Sequence, residues 1–157
     1  MAAKNSDGRR WVRGVTLIEL MVTVGIVAVL AAIALPSWAS YQQRVRIDQA
    51  RKDIVMMSAT IGRYQLDAQT YPNSLADAGL GAPLDPWGRP YAYLPLDGGR
   101  NRGAARKDHS LVPLNTDFDL YSRGPDGASV PPLTAVSSAD DIVRANNGAF
   151  VGVATDY

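Results

Sequence analysis

A chain of 157 residues, 46% hydrophobic and 20% charged, has the length of one ordinary domain and a composition that excludes both wholesale disorder and a polytopic membrane protein. It holds no cysteine and one histidine, His109, which excludes a disulfide framework, a thiolate metal site and a cysteine nucleophile and leaves little for histidine-based catalysis, so an enzyme is not expected. The formal charge of +1 divides unevenly: Lys4, Arg9, Arg10 and Arg13 against Asp7 give residues 1–14 a net +3, and the −2 that remains offers no general attraction for nucleic acid or anionic lipid.

The first element is the apolar run 15–35, which contains one ionisable residue, Glu19. As a helix it would be about 32 Å long, close to the roughly 30 Å of a bilayer core, so it can span a membrane once. Basic residues just before it and none within it predict a cytoplasmic N-terminus and an exported remainder. A secretory signal peptide has a similar outline, and Ala32-Ile33-Ala34 offers a cleavage site. Against it, the run exceeds the roughly 7 to 15 apolar residues of such a peptide and carries a carboxylate near its start. That carboxylate costs on the order of 2.5 to 3.5 kcal/mol at membrane depth and calls for a partner, which no basic residue in the run supplies. A chain cut between Gly14 and Val15 would supply an amino terminus four residues before Glu19.

Arg13-Gly14-Val15-Thr16-Leu17-Ile18-Glu19-Leu20 resembles the processing site of type IV pilins and type II secretion pseudopilins, with Val15 where phenylalanine is usual. The resemblance implies that residues 1–14 are a leader removed by prepilin peptidase and that Val15 becomes the methylated N-terminus. It also implies that Glu19 pairs with the amine of a neighbouring subunit during assembly. It extends to Pro36, where the family commonly has a helix-bending proline. Proline within a helix removes a donor and clashes with the preceding turn, so a bend or local melting is expected near residues 32–36.

After Pro36 the apolar residues Ile47, Ala50, Ile54, Met57, Ile61 and Tyr64 recur at spacings of 3, 4, 3, 4 and 3, one face of a helix. The helix is therefore expected to resume and to run from Val15 to about Leu66, roughly 78 Å. Residues 15–38 form the membrane and assembly part and 39–66 an amphipathic second half. A coiled-coil seam would need more clean heptads than the stripe contains, so packing against a head is favoured.

Residues 67–157 read as that head. Tyr71-Pro72-Asn73 breaks the helix, and Asp85-Pro86-Trp87-Gly88-Arg89-Pro90 is turn punctuation leading into a strand at Tyr91–Leu94. Phe118–Ser122 and Phe150–Ala154 are further strand candidates, and Ala139–Ala145 is expected to form a short helix started by Asp140 or Asp141. Gly98–Lys107 holds four basic residues in ten and reads as a solvated loop, lacking the interleaved aromatics of a nucleic-acid binder, and His109 beside it reads as a surface histidine.

Asp85-Pro86-Trp87-Gly88-Arg89-Pro90-Tyr91, then Phe118–Gly127 with its Asp119-Leu120-Tyr121-Ser122 and Gly124-Pro125-Asp126-Gly127 runs, then Asp140-Asp141-Ile142, is similar to the major pseudopilins of type II secretion. That resemblance implies a calcium site in the C-terminal loop. Carried over by position, Asp126 and one or both of Asp140 and Asp141 give carboxylates, and backbone carbonyls around Leu120 and Arg123 complete the shell. Oxygen ligands of this kind suit Ca²⁺, which takes 6 to 8 of them. The insert 128–139 separates the two acidic elements more widely than is usual in the family. The alternative is that Asp126 is a turn residue and Asp140 or Asp141 a helix cap. The spacing is not that of an EF-hand. Many type IV pilins close this loop with a disulfide; a chain without cysteine would need a metal, or packing and hydrogen bonds, to do so.

The fold expected is α+β and type IV pilin-like, a long N-terminal helix with a membrane-spanning first half, packed on a small antiparallel sheet. The function implied is a structural subunit, a homopolymer in a periplasmic pseudopilus that drives protein export. Its partners would be minor pseudopilins, an inner-membrane assembly platform, prepilin peptidase and the membrane. The alternatives are a type IV pilus subunit in adhesion, motility or DNA uptake, and a single-pass anchored binding domain that does not polymerise.

Overall fold

The computed structural model of the chain describes residues 14–108 and 112–157, the side chains of Pro36 and Val112 excepted. The leader expected at 1–14 therefore lies, but for Gly14, outside the described residues, as does His109. Helix α1 spans Leu17–Ala68. Thr16 and Glu19 start it as a capping box: the Glu19 backbone N–H donates to Thr16 Oγ1 at 3.3 Å, and the Thr16 N–H donates to Glu19 Oε2 at 3.2 Å. It stops at Gln69, which takes a left-handed φ of 56° while its side-chain amide donates to the Leu66 carbonyl at 2.9 Å.

The helix is unbroken through residues 32–36, so the local melting expected at Pro36 is absent. Proline removes only the donor that would reach the Ala32 carbonyl, and the Ser37 hydroxyl donates to the next carbonyl, Ile33, at 3.1 Å. By internal contacts the chain divides between Tyr41 and Gln42. Up to Tyr41, α1 is apolar on all sides and almost wholly exposed, and it is long and apolar enough to cross a membrane.

From Gln42 onward α1 is amphipathic as its 3-4 spacing requires. Ala50, Ile54, Met57 and Ile61 are buried, with Ile47 packed beside them. Six strands follow: β1 Ala92–Pro95, β2 Lys107–Asp108, β3 Val112–Pro113, β4 Phe118–Ser122, β5 Ile142–Ala145 and β6 Phe150–Val153. β1, β4, β5 and β6 form an antiparallel sheet in that order, and β2 pairs with β3 in a separate ladder. Register is set by pairs such as Tyr93 with Leu120 and Val143 with Gly152. The sheet lies on α1 through Tyr91, Phe118, Leu120 and Ile142, which join the α1 stripe in one core, so that stripe is no coiled-coil seam. The sheet's other face carries a second cluster of Leu114, Leu133, Val143, Ala145 and Ala154.

The short helix expected at Ala139–Ala145 is corrected: residues 142–145 are β5, a sheet strand buried at all four positions. Ile142 faces the core on α1 and Val143 the opposite cluster, so both faces are covered and the polar-apolar alternation that marks a half-exposed strand is missing. The helix-cap alternative for Asp140 and Asp141 goes with it.

Candidate functional site: the amino-terminal motif and the carboxy-terminal loop

Gly14 and Val15 are exposed and precede α1. Glu19, also exposed, is one turn on, and its Oε2 accepts from both the Thr16 N–H and the Thr16 hydroxyl, the latter at 3.1 Å. Thr23 adds a hydroxyl bond to the Glu19 carbonyl at 2.9 Å. Thr16 was readable from the sequence, since Thr-x-x-Glu before an apolar run is a helix-start pattern. The carboxylate thus has a local partner in the single chain, and both of its bonds are with groups that another donor can replace.

The two motifs of the head meet. Asp85 Oδ1 accepts from the backbone N–H of Trp87 at 3.0 Å and of Arg89 at 2.9 Å, which folds the turn. Its Oδ2 accepts from the Ser122 hydroxyl at 2.6 Å, and Ser122 Oγ accepts from the Gly124 N–H at 3.1 Å. The same turn sends Arg89 to the carbonyls of Gly124 at 2.7 Å and Pro125 at 3.2 and 3.3 Å. Residues 85–90 and 118–127 are therefore one cluster, with the turn acting as a clasp on the loop.

Asp126 and Asp140 are neighbours: the Asp126 N–H donates to Asp140 Oδ2 at 3.1 Å, and Asp126 Oδ1 accepts from the Ala128 N–H at 2.7 Å. Leu120 is in β4, and the Arg123 carbonyl accepts from the Gly127 N–H at 3.1 Å. Asp141, next in the chain, commits its Oδ2 elsewhere. That oxygen receives Arg106 Nη2 at 2.5 Å and the Ser129 hydroxyl at 2.6 Å, with Asp141 wholly buried and Arg106 3% exposed. Burial pushes the Asp141 carboxyl above the usual aspartate range, against the pull of Ser129 and Arg106. It does the same to Asp119, against the Asn115 side chain and the Arg106 N–H, which donates to Asp119 Oδ2 at 2.6 Å.

The oxygens implied for calcium do not converge as one shell. Asp141 is committed to a guanidinium, Arg89 covers the carbonyls beside Asp126, and among the described residues no three acidic or histidine side chains cluster for a metal. Asp140 Oδ1 and Asp141 Oδ1 are the two carboxylate oxygens here that are buried and unpartnered, against the 6 to 8 oxygens that calcium takes. The donor set does not fit the ion.

Sequence reasoning placed Arg106 in a solvated basic loop. Residues 98–104 are exposed as expected, but Ala105 and Arg106 are buried, a correction to that reading. No local signal separates Arg106 from Arg100 or Arg102, because its partners come from 23 to 35 residues further on. A second pair joins buried Arg144 to half-buried Asp117 at 2.6 Å, the guanidinium stacking 4.0 Å above the Phe118 ring.

Known proteins bear on both regions. The prokaryotic N-terminal methylation motif matches residues 12–35. The chain is 32% identical over 142 residues to a type II secretion system core protein G of Pseudomonas aeruginosa, covering 76% of this chain and 87% of that protein. The chain belongs to the type II secretion system core protein G family. A core protein G of Escherichia coli is 30% identical over 136 residues, covering 73% of this chain and 83% of that protein. A type IV major pilin of Neisseria gonorrhoeae is 34% identical, but over 71 residues, 45% of this chain and 43% of that protein. No solved structure matches. The likeness to core protein G thus takes in most of the head as well as the helix. With its methylation motif and apolar helix, this family member is a membrane-anchored subunit of a secretion system.

Proposed function

We propose that the chain is the structural subunit of a pseudopilus, a homopolymer built in the inner membrane and extended into the periplasm to drive protein export. Prepilin peptidase cuts between Gly14 and Val15, Val15 is methylated, and the apolar part of α1 holds the monomer in the bilayer with its head in the periplasm. Assembly moves that helix from lipid into a bundle of identical helices, where the Glu19 carboxylate meets the amine of a neighbouring copy. Minor pseudopilins and an inner-membrane assembly platform are its further partners, and its work is mechanical.

The observation that carries this reading is an exposed, predominantly apolar helix start whose one carboxylate lies four residues after the Gly14–Val15 bond. A charge in that position has no use in a simple anchor and costs free energy in lipid. The pilus alternative draws on relatives that match 45% of the chain, whereas core protein G relatives match over 70%. Peptide mass analysis of native membranes tests the reading. The mature chain should begin at methylated Val15; a start at Met1, or at Leu35 as a signal peptide requires, would remove it.

A further inference from the structure

Closing the C-terminal loop requires positive charge, because the loop brings carbonyl and carboxylate oxygens of residues 123–141 together. The resemblance to major pseudopilins implies calcium for that purpose. The structure assigns it instead to the chain itself: we propose that the guanidinium of Arg106, with Arg89 beside it, is the resident cation of the loop, and that the head folds and stays folded without calcium.

Arg106 holds both ends of the insert. One nitrogen, Nη2, bonds Asp141 at 2.5 Å. The other, Nη1, bonds the Ser129 hydroxyl and, at 2.7 Å, the Val130 carbonyl. Ser129 in turn donates to Asp141 Oδ2 at 2.6 Å, and the Ser138 hydroxyl donates to the Val130 carbonyl at 2.8 Å while accepting the Val130 N–H at 3.0 Å. The guanidinium plane lies over Tyr121 of β4, 4.4 Å from the ring centroid. Residues 128–141 are thus gathered around one planar cation through a carboxylate, a hydroxyl and a carbonyl, the oxygen types that calcium would take.

Arg89 does the same for the start of the loop, on the carbonyls of Gly124 and Pro125, and its guanidinium packs so closely on Gly127 that a Cβ there would lie 2.5 Å from Cζ. A divalent ion between Asp126 and Asp140 would sit beside that charge. Of the implied carboxylate oxygens, Asp140 Oδ1 and Asp141 Oδ1 are buried and unpartnered, two against the 6 to 8 oxygens calcium needs. The insert that departs from the family pattern thus contains the hydroxyl and carbonyl that Arg106 holds.

The test is thermal melting of the full chain in detergent micelles, followed by near-ultraviolet circular dichroism, in millimolar calcium and in excess EGTA. The wild type should melt at the same temperature in both, and equilibrium dialysis with radioactive calcium should find no stoichiometric site. Arg106→Gln, which leaves Asp141 buried and unpaired, should lower the midpoint by on the order of 10 °C or fail to fold. Arg106→Lys, which keeps the charge but not the fork, should fall between. A wild-type midpoint that drops in EGTA, one calcium bound per chain, or an Arg106→Gln midpoint equal to the wild type would each overturn the proposal. The readout does not involve filaments, so a failure here leaves the pseudopilus reading standing, and the reverse.

Discussion

In the single chain the Glu19 carboxylate caps its own helix through Thr16, so the proposed assembly would exchange these two bonds for a charged amine. The Thr16 bonds already carry the charge of the carboxylate; an amine would add the opposite charge, and the attraction of such a pair strengthens in apolar surroundings, which would favour the polymer. Glu19→Ala should leave the head folded, since its core begins at Ile47, and should abolish or strongly reduce filaments seen by electron microscopy. It should also slightly favour membrane insertion, by removing the one charge in the run. Gly124 is the other residue with a sharp requirement. Its φ of +61° disfavours a side chain, and a Cβ would collide with the Asp140 backbone carbonyl, which cannot swing aside. Gly124→Ala should cost about 1–3 kcal/mol, read as a lower denaturation midpoint, whereas Gly79→Ala, with an open surrounding but a similar φ of +78°, should cost less.

The elements differ in how they hold together. α1 needs no partner for its backbone, so its first part can leave one environment for another as a unit, while β1 is tied down by two phenols at its start. Tyr91 donates to Asp53 Oδ2 of α1 at 2.9 Å and Tyr93 to the Pro72 carbonyl at 2.9 Å. Burial raises both phenols well above the ordinary tyrosine value of 10.0, with Asp53 adding to the shift at Tyr91 and Asp97 at Tyr93. A raised folded-state pKa means that the folded chain keeps protons which the unfolded chain has lost. Its stabilising effect is therefore full below pH 10 and lost as pH rises beyond it. Absorbance titration of the folded chain should show Tyr91 and Tyr93 ionising only as the head unfolds. All seven tyrosines ionising together near pH 10 in a folded head would contradict the burial of these two.

At the scale of the molecule, the two units bury their apolar surface differently. The head satisfies its own in two clusters, one on each face of the sheet, and pairs its two buried arginines, Arg106 with buried Asp141 and Arg144 with half-buried Asp117. The apolar part of α1 satisfies none of its own, which is what a subunit needs if its surroundings change from lipid to copies of itself.

The sequence by itself determined α1, its membrane character, the α1 stripe that meets the sheet and the strand at Phe118–Ser122, because each is written in a local period or a contiguous motif. The methylation motif, being contiguous, was legible in the same way. Only the tertiary structure decided β5, the β2–β3 ladder and the role of Arg106. β5 is covered on both faces and carries no alternation, and strands of two residues carry no period at all. Arg106 looks like its basic neighbours in the chain. It becomes a buried cation because Ser129 and Asp141, 23 and 35 residues away, are brought to it by folding, and pairing at such a distance leaves no mark on the residues next to it.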